Sequence, residues 1–165
     1  MFELKTLKRE ALDAAQSKAV RYRLLNQPRL AESICRDILA VDPEHHDALV
    51  TLILSVTDGF TANGRTSAAE AMDLLSRLPS EYEREYYAGI ICERRAIGQL
   101  TLSGPGSGEI AFTWFRRAME HYENADPLSA PDNDDAVLRW NTCARIVNSR
   151  ADIRPAEAHK ETMLE

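Results

Sequence analysis

No run of about 18 consecutive apolar residues occurs in the 165-residue chain, so no segment reads as a membrane-spanning helix. The opening residues Met1-Phe2-Glu3-Leu4-Lys5 lack the apolar stretch of a secretory leader. Cysteine is scarce: Cys35, Cys92 and Cys143 lie far apart, and none belongs to a Cys-x-x-Cys pair. Three thiols, each beside apolar neighbours, read as buried and reduced. That points to a reducing compartment, the cytoplasm, rather than to a catalytic or metal-binding role.

Positive charge is also in short supply. Twenty Lys and Arg are outnumbered by 26 Asp and Glu, for a net charge of −6, and no long basic run occurs. Phosphate binding needs clustered cations, so this composition argues against a nucleic-acid partner. A hydrophobic fraction of 44% and a charged fraction of 28% are those of an ordinary globular domain with a core of its own.

Recognisable reaction chemistry is missing as well. The glycine cluster Gly104-Pro105-Gly106-Ser107-Gly108 has neither the lysine nor the preceding strand of a phosphate cradle, and reads as a flexible linker. His45 and His46 are adjacent, so on a helix they point about 100° apart and do not chelate together. His121 and His159 stand alone. Cys92 has Arg94 nearby but no base. Asp132-Asn133-Asp134-Asp135 lacks the glycine and closing glutamate of a calcium loop, and helix capping explains it more simply. Trp114, Phe115 and Trp140 read as core. The sequence therefore implies no enzyme, no catalytic residue, no metal and no cofactor.

What is present is helical periodicity. The stretch from Arg29 to Leu52 holds one amphipathic pattern (Leu30, Ala31, Ile34, Cys35, Ile38, Leu39), a Val41-Asp42-Pro43 corner, and a second pattern (Ala48, Leu49, Leu52, Ile53, Val56). Pro43 cannot continue a helix, and it pushes Asp42 out of the α region. Around this corner the spacing predicts an all-α fold of seven helices: 6–25, 28–40, 46–56, 67–78, 81–97, 109–124 and 133–150. Asn26 closes the first. Thr66 or Ser67 caps the fourth, and Ser67 with Glu70 has the spacing of a capping box. Residues 98–108 are predicted to be a mobile loop, and 126–132 a second break. Residues 1–150 are expected to form one domain, followed by a polar, frayed tail from 151 to 165.

Self-similarity adds a further layer. Ala31-x3-Cys35-x2-Ile38 recurs as Ala68-x3-Met72-x2-Leu75 and as Ala111-x3-Phe115-x2-Ala118, with alanine starts 37 and 43 residues apart. Prolines 43, 79 and 127 follow the three units. A small side chain lets two antiparallel helices approach, and the larger one fills the groove beside it. Together with Ala19, Tyr22 and the ending Ile38-Leu39-Ala40-Val41-Asp42-Pro43, this pattern resembles the tetratricopeptide repeat, whose period is about 34 residues. The resemblance covers about Leu12 to Pro127 as three repeats, with the seventh helix as a cap. The first repeat matches well. The second has Ile53 where a small residue is usual, and the third is ambiguous between Ala88 and Gly89.

The resemblance implies a right-handed superhelix of helical hairpins whose first helices line a concave groove for a peptide or helix of another protein. Carried onto this chain, the groove residues are Gln16, Val20 and Arg23 on the first helix, and Asp47, Val50, Leu54 and Thr57 on the third. Arg84 and Glu85 on the fifth follow with a less certain register. The carboxylate clamp some family members use on chaperone tails is not reproduced, since Gln16, Val20, Val50 and Leu54 stand at its places. The implied role is an adaptor or scaffold with a protein partner and no membrane or nucleic-acid partner. The alternative is a self-associating homodimer that pairs its terminal helices.

Overall fold

A computed structural model describes residues 2–60, 68–102 and 104–156. Among these the chain is entirely helical, with no strand. Seven α-helices follow one another: α1 (Leu12–Leu24), α2 (Pro28–Val41), α3 (His46–Asp58), α4 (Ala68–Leu75), α5 (Glu81–Thr101), α6 (Ser107–Ala125) and α7 (Asp135–Ser149). Short 3-10 turns occupy Arg9–Ala11 and Asp126–Leu128.

The first two turns between helices are built as their residues dictate. Asn26 adopts φ 58°, the left-handed conformation asparagine tolerates. The Gln27 N–H then donates to the Tyr22 carbonyl and the Asn26 N–H to that of Arg23, which satisfies the end of α1. Pro28 opens α2. At the second corner Asp42 is extended (φ −131°, ψ 91°), as the residue before a proline must be, and α2 stops there. His45 caps α3, its Nδ1 accepting the Ala48 N–H at 3.2 Å.

Several boundaries differ from the periodicity; α4, for one, ends at Leu75 rather than at residue 78. The first helix begins at Leu12, not at residue 6: Leu7 packs on the first core from outside the helix, and a 3-10 turn at Arg9–Ala11 leads into it. The expected loop at 98–108 shrinks to a tight turn. α5 runs on to Thr101 because Ile97 and Leu100 pack into a core, and that packing outweighs the roughly 1 kcal/mol a helical Gly98 costs. α6 already starts at Ser107, with Gly106 at φ 75° making the turn. The capping box at Ser67 lies outside the described residues. The tail does not fray at once: Ile153 is only 4% exposed and belongs to a core, while the Asp152 carbonyl lies so close over Gly108 that a β-carbon there would be 2.0 Å away. Residues beyond 156 lie outside the description.

Each helix packs on the next in the chain, and α1 also touches α3 and α3 touches α5. Two cores result. The first gathers α1 to α4 around Cys35, Ile38, Leu49, Leu52 and Ile53, with Ala88 and Ile91 of α5. The second gathers α5, α6 and α7 around Ile90, Phe115, Tyr122 and Cys143. Met72 and Tyr87 touch both, so the cores are continuous.

Burial corrects the middle repeat unit. Ala31, Cys35 and Ile38 are fully buried, as are Ala111, Phe115 and Ala118. On α4 and the turn after it, the buried set is Ala71, Leu75 and Leu78, while Ala68 and Met72 are half-buried. The unit is therefore Ala71-x3-Leu75-x2-Leu78, and its alanine stands 40 residues from both Ala31 and Ala111. A shift of three residues rotates a helix by nearly a full turn, so both registers look apolar in sequence. On α7 the buried stripe is Ala136 and Cys143, flanked by Trp140 and Val147, while Val137 is exposed.

Candidate functional site

α1, α3 and α5 stand side by side, and the sequence places polar and medium-sized groups along their shared face. Gln16, Ser17 and Val20 of α1, His46, Asp47, Val50 and Thr51 of α3 and Tyr87 of α5 line an open concavity of about 550 Å³. Gln16 fixes the first two helices: its Nε2 donates to Thr51 Oγ1 at 2.9 Å and to the Asp47 carbonyl at 3.1 Å. Its Oε1 is shielded from solvent and accepts no hydrogen bond. Val20 is 41% exposed, and the Asp47 side chain is 75% accessible.

His46 bridges the rim. Its Nε2 lies 2.8 Å from Glu83 of α5 and its Nδ1 lies 3.3 Å from Asp47. Hydrogen bonds to these two carboxylates raise its pKa above the ordinary 6.5. Tyr87 is pushed up to about 12 by burial and by the nearby Glu83 carboxylate, so its phenol stays protonated at neutral pH.

One end of this face is closed by a charged clasp. Arg23 of α1 donates to Asp58 Oδ2 at 2.7 Å, and Arg94 of α5 reaches Asp58 Oδ1 at 2.8 Å. Arg94 also donates to the Leu54 carbonyl and to Thr57 Oγ1. Burial lowers the Arg94 pKa, and Asp58 opposes that shift. One carboxylate thus ties three helices.

The expected groove residues divide accordingly. Gln16, Val20, Asp47 and Val50 line the concavity together. Arg23 is engaged in the clasp. Leu54 packs against the second core, and Thr57 is buried (1% exposed) with its hydroxyl spent on Leu54 and Arg94, so it offers nothing to a ligand. On α5 the lining residue is Tyr87, not Arg84 or Glu85. Arg84 donates to the carbonyls of Leu78 and Pro79, and Glu85 faces His121 of α6. Sequence reading did not assign Tyr87 to the groove because the register of α5 stayed open between Ala88 and Gly89.

A second polar cluster lies inside the α5–α6–α7 core. Glu93 is buried (4% exposed), accepting from Tyr122 Oη at 2.6 Å and from Arg139 at 3.0 Å. Burial opposes the charge of Arg139, yet the Glu93 carboxylate holds its pKa above the usual value. Burial, then Glu93, pushes the Tyr122 phenol well above its own. Cys35 and Cys143 are raised to about 12 and Cys92 to about 11, chiefly by burial, so these thiols stay protonated and poorly nucleophilic. Among the described residues no group of three His, Cys, Asp or Glu side chains is placed to hold a metal, and no helix is long and apolar enough to cross a membrane.

Comparison with protein-family models, with curated proteins and with solved structures returned no match for this chain.

Proposed function

We propose that this protein is a binding module, an adaptor or scaffold of tetratricopeptide-like hairpins that seats a segment of another protein against α1, α3 and α5. The observation that carries the reading is the concavity itself. Alternate helices contribute Gln16, Val20, Asp47, Val50 and Tyr87 to one open hollow, while α2 and α4 are joined to each other by Arg36 and Glu70. Stacked helical hairpins produce such a row of first helices, and curvature makes the row a trough. The buried small residues at Ala31, Ala71 and Ala111, evenly spaced, support the same arrangement.

The test is affinity purification from the native cell with wild type and with Val20→Glu plus Val50→Glu. Both positions line the hollow; Val20 is exposed and Val50 also touches the first core, so circular dichroism is used to establish that the variant is folded. Its partner should be lost. A partner retained equally by both proteins would remove the groove assignment.

A second reading, self-association, draws on the last helix. Leu138 is 62% exposed on α7, beside Val137 and a small cleft formed with Trp140 and Tyr122. Mass and melting temperature would then rise with protein concentration. Sedimentation showing a monomer at all concentrations would dismiss it.

A further inference from the structure

The hollow is unequal in charge. Two carboxylates, Asp47 on its wall and Glu83 across His46, stand at the rim, and no lysine or arginine lines it among the described residues. Beneath them lie the aliphatic side chains of Val20 and Val50 and the ring of Tyr87. The rim is therefore acidic above an apolar floor. It fits a long side chain whose stem is apolar and whose head is a cation. Resting on the groove-binding reading above, we propose that the concavity selects an extended peptide segment carrying an arginine or lysine next to an aliphatic residue. The cation sits on the outer, solvent-facing side of the Asp47 and Glu83 carboxylates, which His46 bridges, and the aliphatic residue on Val20 and Val50.

His46 already offsets part of this charge when protonated, and the two arginines of the clasp share the single Asp58 carboxylate at the far end of α3 from this rim. The cation of a partner meets no competing fixed cation at the rim when His46 is neutral. Ion pairs this exposed discriminate modestly, so the expected preference is about three- to tenfold.

The experiment uses the full chain at pH 8 and an NMR shift titration, which reads both affinity and location. Three pools of capped nonapeptides are compared, with serine and aliphatic flanks and a central arginine, norleucine or glutamate. The arginine pool should bind about three- to tenfold more tightly than the norleucine pool, and the glutamate pool most weakly. Shifts should centre on Val20, Val50 and Tyr87. Asp47→Asn with Glu83→Gln should erase the difference between the arginine and norleucine pools. Equal affinity of the arginine and norleucine pools, with shifts at the hollow, would overturn the charge selection and leave the groove reading standing. The acids would then serve only the first turns of α3 and α5. No shift at the hollow with any pool would count against both.

Discussion

A β-carbon placed on Gly89 of α5 would lie 2.4 Å from the ring of Tyr122 on α6. Backbone and ring touch here, and the ring is not free to move, because its hydroxyl is held by buried Glu93 at 2.6 Å. Alanine is worth about 1 kcal/mol over glycine in a helix, whereas overpacking costs about 1–3 kcal/mol. The clash should win. Gly89→Ala is expected to lose up to about 2 kcal/mol in urea unfolding, and a more stable variant would show that the ring gives way.

Glu93 itself serves two donors. Replacing it by alanine strands the Arg139 guanidinium and the Tyr122 hydroxyl together. Breaking a buried pair from one side costs about 3–5 kcal/mol, and Arg139 keeps enough solvent contact to hold the loss near the lower figure. Denaturant unfolding checks this; a loss under about 1 kcal/mol would mean the cluster contributes little.

The repeat register can be tested directly. Ala31→Leu, Ala71→Leu and Ala111→Leu each force a large side chain into a fully buried position, and each should cost about 1–3 kcal/mol or more. Ala68→Leu, at a half-buried position, should change stability by less than about 1 kcal/mol. If Ala68 proved as sensitive as Ala71, the assignment of the middle unit would be lost.

His46 predicts a pH dependence. Its pKa is raised in the folded state by Asp47 and Glu83. Such a group stabilises the fold fully below its unfolded value and loses that contribution as pH rises through the folded one. Melting temperature, measured against His46→Gln, should therefore be relatively higher at pH 5.5 than at pH 8.5. The effect should be small, since the ring is 45% exposed. A difference of the opposite sign would show that the neutral imidazole is the form the fold prefers.

Ile153 lies beyond the last helix yet fills the second core. Ile153→Ala should cost about 2–4 kcal/mol, the ordinary loss for a buried aliphatic truncation. Gly108→Ala should expel the Asp152 carbonyl that rests on it and reproduce part of the same loss. Thermal melts of both variants would decide whether residues 151–153 belong to the folded unit.

The chain's own residues settled a good deal without any tertiary information. Prolines 28 and 43 and the left-handed Asn26 act within one or two residues, so the corners between α1, α2 and α3 follow from local sterics. The 3-4 spacing of Ala31, Cys35 and Ile38 likewise dictates which face of α2 is buried. What happened at a distance was decided by packing. Gly98 stays helical because Ile97 and Leu100 have a core to enter, and Ile153 is buried because a glycine leaves room for the backbone before it. Ala71 rather than Ala68 faces inward because a neighbouring helix selects between two nearly equivalent rotations. The concavity belongs to the same class: spacing put Gln16, Val20, Asp47 and Val50 on their helices, and only the repeat resemblance suggested that they share a groove. Thr57 was spent instead on a clasp, and Tyr87 brought in, by contacts between helices about 35 residues apart in the chain, which no local pattern records.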